Sequence, residues 1–128
     1  MATPSTVDEY IAGFPPHVAE RLQRIREIIV AAVATSGGVP EEKIRYGIAA
    51  VMLGGRYALH YAGWKKHIGV YPVPALAEPL ESEFAPYRAE KDSAVFPHSR
   101  PVPYELIGRV ADAIVVMRGA QGSENAAG

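Results

Sequence analysis

The sequence predicts a single α+β domain: a curved antiparallel sheet of about five strands, packed on one face by N-terminal and C-terminal helices. Three observations predict it. Apolar stripes at helical spacing lie toward both ends of the chain. Between them run short segments rich in Ile, Val, Tyr and Ala, broken by glycines. The strands therefore cluster in the middle instead of alternating with helices, which is the pattern of a sheet with segregated helices.

Thr6-Val7-Asp8-Glu9 reads as a capping box that opens a short helix ending at Gly13. Pro15-Pro16 then begins a longer helix, since proline is tolerated in a first turn. Val18, Leu22, Ile25, Ile29 and Val33 give that helix, His17 to Ser36, one apolar stripe that Gly37-Gly38 terminates. Lys43 to Leu53 reads as strand with an interruption at Gly47, and Gly54-Gly55 is a hairpin signal. Arg56 to Trp64 and His67 to Tyr71 read as the next two strands. Pro74 to Tyr87 reads as two short helical pieces, with Pro79 opening the second. Ala94 to Pro97 reads as an edge strand. The last helix starts at Pro103 and carries Leu106, Val110, Ile114 and Met117 as its stripe, widened by Ile107 and Ala113, with Gly119 as its end. Leu22, Ile25, Ile29, Leu59, Ile68, Val70, Leu106 and Val110 are expected to form the core. Residues 1–5 and 120–128 lack large apolar groups and are expected to be disordered, leaving 6–119 as the domain.

Composition narrows the function classes. Thirteen Lys and Arg against fourteen Asp and Glu leave a net charge of −1, which argues against binding nucleic acid through bulk charge. With no cysteine, disulfides, thiolate metal sites and a cysteine nucleophile are excluded. No run of 18 apolar residues and no basic-then-apolar leader is visible, so a cytoplasmic protein without a membrane span is expected. There is no G-x-S-x-G elbow, no G-x-G-x-x-G and no phosphate-binding loop of the Walker type. No enzymatic activity and no cofactor are therefore expected.

Strand parity singles out a candidate site. Tyr57, Leu59 and Tyr61 should share one face with Ile68 and Val70, turned toward the helices. Ala58, His60, Ala62 and Trp64 should share the other with His67, Gly69 and Tyr71. A turn at Gly63-Trp64 would pair His60 with His67. A turn at Lys65-Lys66 would pair His60 with Tyr71 and Trp64 with His67. Both have two residues and give the same faces. Aromatic rings beside small residues make a shallow concavity suited to a ligand. His60, Trp64, Lys66, His67 and Tyr71 are the candidate ligand-binding residues, with Lys66 and the histidines as donors to an anionic group. Such binding should weaken as pH rises through about 6.5. The opposing readings are a solvated sheet face, or one covered by Pro74 to Tyr87. A metal site on the histidines lacks ligands, because no Asp or Glu occurs from Lys43 to Ala77. The long helix carries Arg21, Arg24 and Arg26 beside Glu20 and Glu27, a mixed-charge face and no acidic ridge.

The segments TVDEYIAGFPPHVAERLQRIREII, KIRYGIAAVMLGGRYALHYAGWKKHIGVYP and VFPHSRPVPYELI resemble the YdhG-like family of small bacterial domains of unknown function. The lysine followed by His67-Ile68-Gly69-Val70-Tyr71-Pro72 is the most specific part; Tyr46-Gly47, Lys91, and Phe96-Pro97 followed by Pro103 add to it. The resemblance covers about residues 6–118. It implies an α+β fold with a curved antiparallel sheet, and a link to frataxin-like intracellular iron chaperones. Two functions are thus expected in order: a non-enzymatic domain binding a small anionic ligand or a protein partner, and, as alternative, an iron chaperone. A monomer or weak homodimer is expected, without nucleic-acid or membrane partners.

Overall fold

The computed structural model describes residues 4–90 and 92–127, with side chains as far as Gly119. The expected disorder of residues 1–3 and of Gly128, and the motif residue Lys91, lie outside the described residues. The elements are α1 (Val7–Ala12), α2 (Pro16–Thr35), β1 (Glu41–Arg45), β2 (Ile48–Leu53), β3 (Arg56–Gly63), β4 (His67–Tyr71), α3 (Leu80–Phe84), β5 (Ala94–Pro97) and α4 (Tyr104–Ala127), with a 3-10 turn at Ala85–Tyr87 after α3. The five strands form an antiparallel meander in the order β1-β2-β3-β4-β5.

The N-cap of α1 is Thr6, whose side chain accepts the Glu9 amide at 3.1 Å. The turns obey backbone sterics. Gly54 and Gly55 have φ of 60° and 81°, and Tyr46 and Gly47 have φ of 54° and 76°. Two successive positive values make the hairpin turn whose twist matches the flanking strands. The third hairpin turns at Lys65-Lys66, because the Trp64 amide donates to the His67 carbonyl at 2.8 Å and His60 faces Tyr71.

Leu22, Ile25, Ile29 and Val33 of α2 are fully buried against Val51, Leu59, Ile68 and Val70 of the sheet. Arg26 fastens this layer at its edge, pairing with Glu42 of β1 at 2.6 Å and with Asp8 of α1 at 2.7 Å. At the end of β3, a Cβ on Gly63 would stand 2.6 Å from Phe14, and the Gly63 amide donates to the Tyr10 hydroxyl at 3.1 Å. Glycine there lets α1 and its following loop approach the sheet closely.

Four expectations are corrected. First, the β2–β3 ladder shifts register: Val51 faces Leu59, but Met52 faces Tyr57, leaving Ala58 without a partner. This β-bulge makes Ala58 and Leu59 consecutive core residues and turns Tyr57 to the face of His60, against the simple alternation. Second, Pro74 to Ala77 is not helical; only Leu80–Tyr87 is. Third, α4 buries Ile107, Val110, Ala111, Ile114 and Val115, whereas Leu106 is only half-buried, so its buried stripe is rotated from the expected one. Fourth, α4 continues past Gly119 to Ala127; a lone glycine lowers helix propensity by about 1 kcal/mol without ending a helix.

The segment from Val73 to Tyr87 packs on the helical side, not over the opposite sheet face. Val73, Leu76 and Phe84 join the core, and the Phe84 and Phe96 rings meet at 6.3 Å. Arg88 organises it, donating to the Val73 and Pro74 carbonyls at 2.7 and 2.8 Å and pairing with Glu81 at 2.6 Å. The Arg88 hydrogen bond, with one from the Leu76 amide, holds the Glu81 carboxyl down to about 2.

The rotated stripe of α4 is testable. Ile107→Ala should cost about 2–4 kcal/mol and Leu106→Ala roughly 1 kcal/mol, because truncation cost follows burial. Urea unfolding that shows the larger loss at Leu106 would contradict the observed helix orientation.

Candidate functional site

With α1, α2 and α4 on one side, the other sheet face carries the residues opposite each other at Lys43 and Ala50, Arg45 and Ile48, Ala50 and His60, His60 and Tyr71, and His67 and Pro97. At its centre is a pocket of about 330 Å³ lined by Tyr46, Ile48, Tyr57, His60, Tyr71 and Pro72. That volume suits a small organic molecule. His60 is its floor, being only 6% exposed. The Tyr57 ring lies 5.1 Å from the His60 ring and the Tyr46 ring 6.1 Å away. Tyr46 is the rim, 84% exposed at the tip of the β1–β2 turn.

His60 Nε2 is buried and has no hydrogen-bond partner among the described residues. An unpartnered buried polar atom costs roughly 1–3 kcal/mol, so a group that meets it gains binding free energy. Burial pushes the His60 pKa below its ordinary 6.5; the nearby Arg45 charge pushes the same way, and a backbone hydrogen bond with Tyr71 opposes both. The ring is therefore neutral at neutral pH and offers one donor and one acceptor. At His60 burial thus makes the cation the disfavoured form.

Tyr71 connects the pocket to the other expected site residues. Its ring lies back along β4 over Gly69, where a Cβ would run into the ring and its hydroxyl. Trp64 Nε1 donates to the Tyr71 hydroxyl at 2.7 Å. Trp64 is 47% exposed and its ring stands 6.5 Å from that of His67. Lys66 is exposed in the turn, its carbonyl accepting the His98 amide at 2.9 Å, while His98 Nε2 contacts the Trp64 carbonyl at 2.8 Å. The five expected residues thus form two groups: His60 and Tyr71 in the pocket, Trp64, Lys66 and His67 at the β3–β4 turn. The two histidines do not face each other. Sequence reasoning missed Tyr57, Tyr46, Ile48, Pro72 and Arg45. Tyr57 was hidden by the bulge; Tyr46 was visible as the tyrosine of a Tyr-Gly turn. Among the described residues no three His, Asp or Glu side chains converge on a place where they could hold a metal ion.

The His60 environment predicts a measurable titration. By histidine NMR its midpoint should fall below 6.5, and Arg45→Gln should move it back upward. The unfolded chain binds this proton more readily, so stability attributable to His60 is complete above about pH 6.5 and falls as pH drops toward the folded value. His60→Gln should flatten that part of the stability curve; an unchanged slope would show His60 to be solvated.

No protein-family model matches the chain, and no curated protein matches it. Among solved structures it is similar to the crystal structure of a DUF1801-family protein, YdhG, from Bacillus subtilis. The TM-score is 0.70 at 20% sequence identity, over 89% of this chain and 91% of that one. The likeness is one of fold. No helix among the described residues is long and apolar enough to cross a membrane.

Proposed function

We propose that this chain is a cytoplasmic YdhG-like domain that binds a small organic ligand on the open face of its sheet and catalyses no reaction on it. The ligand seats a planar or apolar body among Tyr46, Tyr57 and Tyr71 and meets the free nitrogen of His60 with a polar group. The observation that carries this reading is the buried, unpartnered Nε2 at the floor of an aromatic pocket. A ring in the pocket gains apolar burial from the tyrosine faces, and the single hydrogen bond sets its orientation. Trp64 has the supporting role of fixing the Tyr71 hydroxyl, and so the Tyr71 wall.

Tyr46 adds a second line of support. Its φ of 54° lies in the left-handed region, which a bulky side chain rarely occupies. Asparagine suits that first turn position better, next to Gly47. A tyrosine there gives up some stability and sets a ring at the pocket rim, a trade typical of binding sites. Iron handling of the frataxin type has no comparable observation behind it: the pocket is lined by no carboxylate, and iron prefers oxygen ligands.

Two variants test the reading against a panel of small aromatic compounds, followed by amide and ring NMR shifts. Binding should shift resonances of Tyr46, Tyr57, His60 and Tyr71, and His60→Gln should weaken it. Tyr46→Asn should raise stability by roughly 0.5–1 kcal/mol while weakening binding. Shifts confined to the Trp64–His67 turn, or none from any compound, would contradict the assignment of the pocket.

A further inference from the structure

Next to the His60 pocket, and sharing Tyr57 with it, lies a larger open cavity of about 1090 Å³ at the β2–β3 hairpin. Its walls include Lys43, Arg45, Arg56 and Arg118, with Gly54 and Gly55, and no acidic side chain among the described residues. Lys43 has a counterion in Glu41 at 3.3 Å. The three arginines have no carboxylate within ion-pair distance among the described residues; Arg26, Arg88 and Arg109 do, while Arg21, Arg24 and Arg100 do not.

Two of the three lie against the same ring. The guanidinium carbons of Arg45 and Arg118 each stand 5.2 Å from the centroid of the Tyr57 ring. That separates them by no more than roughly 10 Å, about one Debye length at 0.1 M salt, so their repulsion is only partly screened. The Nε of Arg118 is also buried without a hydrogen-bond partner among the described residues. Two like charges against one ring, with no carboxylate in ion-pair distance among the described residues, form an arrangement that an anion stabilises. Guanidinium forks match carboxylate and phosphate oxygens in geometry as well as charge. Tyr57 lines both this cavity and the aromatic pocket, so the two sites are adjacent.

We propose that the ligand is a planar ring bearing a carboxylate or phosphate group, with the anionic group held by Arg45, Arg56 and Arg118 and the ring lying past Tyr57 toward His60. This inference rests on the ligand-binding reading above and adds the charge and size of what is bound. It also accounts for the lack of acids on this stretch of the chain, from Lys43 to Ala77, where a carboxylate would neutralise the site.

The test compares three probes by amide NMR titration of the full chain: phenyl phosphate, phenol and inorganic phosphate. Phenyl phosphate should shift resonances in both cavities and bind at least about tenfold more tightly than either of the others. The double variant Arg45→Gln with Arg118→Gln, its fold checked by amide dispersion, should weaken phenyl phosphate by about tenfold or more relative to phenol, so that the preference for the anion is lost. Phenol binding as tightly as phenyl phosphate at the His60 pocket would overturn the anion assignment while the aromatic-pocket reading stands. Inorganic phosphate matching phenyl phosphate would overturn the claim that one ligand spans both cavities. If no probe moves a resonance of either cavity, both fail. The wild-type comparison decides the matter even if the double variant does not fold.

Discussion

The bulge at Ala58 is the constraint on which the open face depends. An antiparallel ladder without it would send Tyr57 to the helical side with Leu59 and Tyr61. The extra residue shifts pairing so that Met52 faces Tyr57 and Val51 faces Leu59. Ala58 is small and fully buried beside Leu59, so the core accommodates the extra residue. On the other face, the same shift brings the Tyr57 ring beside His60, within reach of guanidinium groups from β1 and α4. Both cavities share Tyr57, and both owe their shape to one residue inserted in β3.

The helical side makes this arrangement affordable in stability. Leu22, Ile25 and Ile29 are buried in one apolar cluster with Leu59, Ile68 and Val70. Burial of such side chains, at roughly 1.5–3 kcal/mol each, is ample to tolerate one unpartnered imidazole and one strained turn residue on the opposite face. The Arg88 clamp completes the division of labour. By drawing Val73, Leu76 and Phe84 to the helical side it leaves the His60 pocket uncovered by the segment that follows β4.

The sequence was most legible where one periodicity acts alone. The stripe of α2, the paired glycines of the β2–β3 turn and the Thr6 N-cap of α1 are read from single local rules and occur as read, whereas the other half of the capping box does not, since the Glu9 carboxylate accepts from Ser5. The order of elements was equally legible. Legibility failed where two rules compete. Alternation assigned Tyr57 to the core face, and nothing in the run Arg56 to Trp64 marks Ala58 as supernumerary, because alanine suits either face. In α4, Leu106 and Ile107 are both apolar and adjacent, and only contact with the sheet decides which is buried. For the site, parity correctly brought His60 and Tyr71 to one face. It could not show that His67 and Trp64 stand apart at the turn, nor that Arg118, far along the chain, reaches Tyr57.

The most direct test is the through-space contact of the Tyr57 ring. A nuclear Overhauser spectrum of the free protein should connect Tyr57 ring protons with those of His60, and give no contact between Tyr57 and Ile25 or Ile29. Cross-peaks from Tyr57 to those α2 residues, with none to His60, would mean that β3 alternates without a bulge. The composite site described here would then not exist.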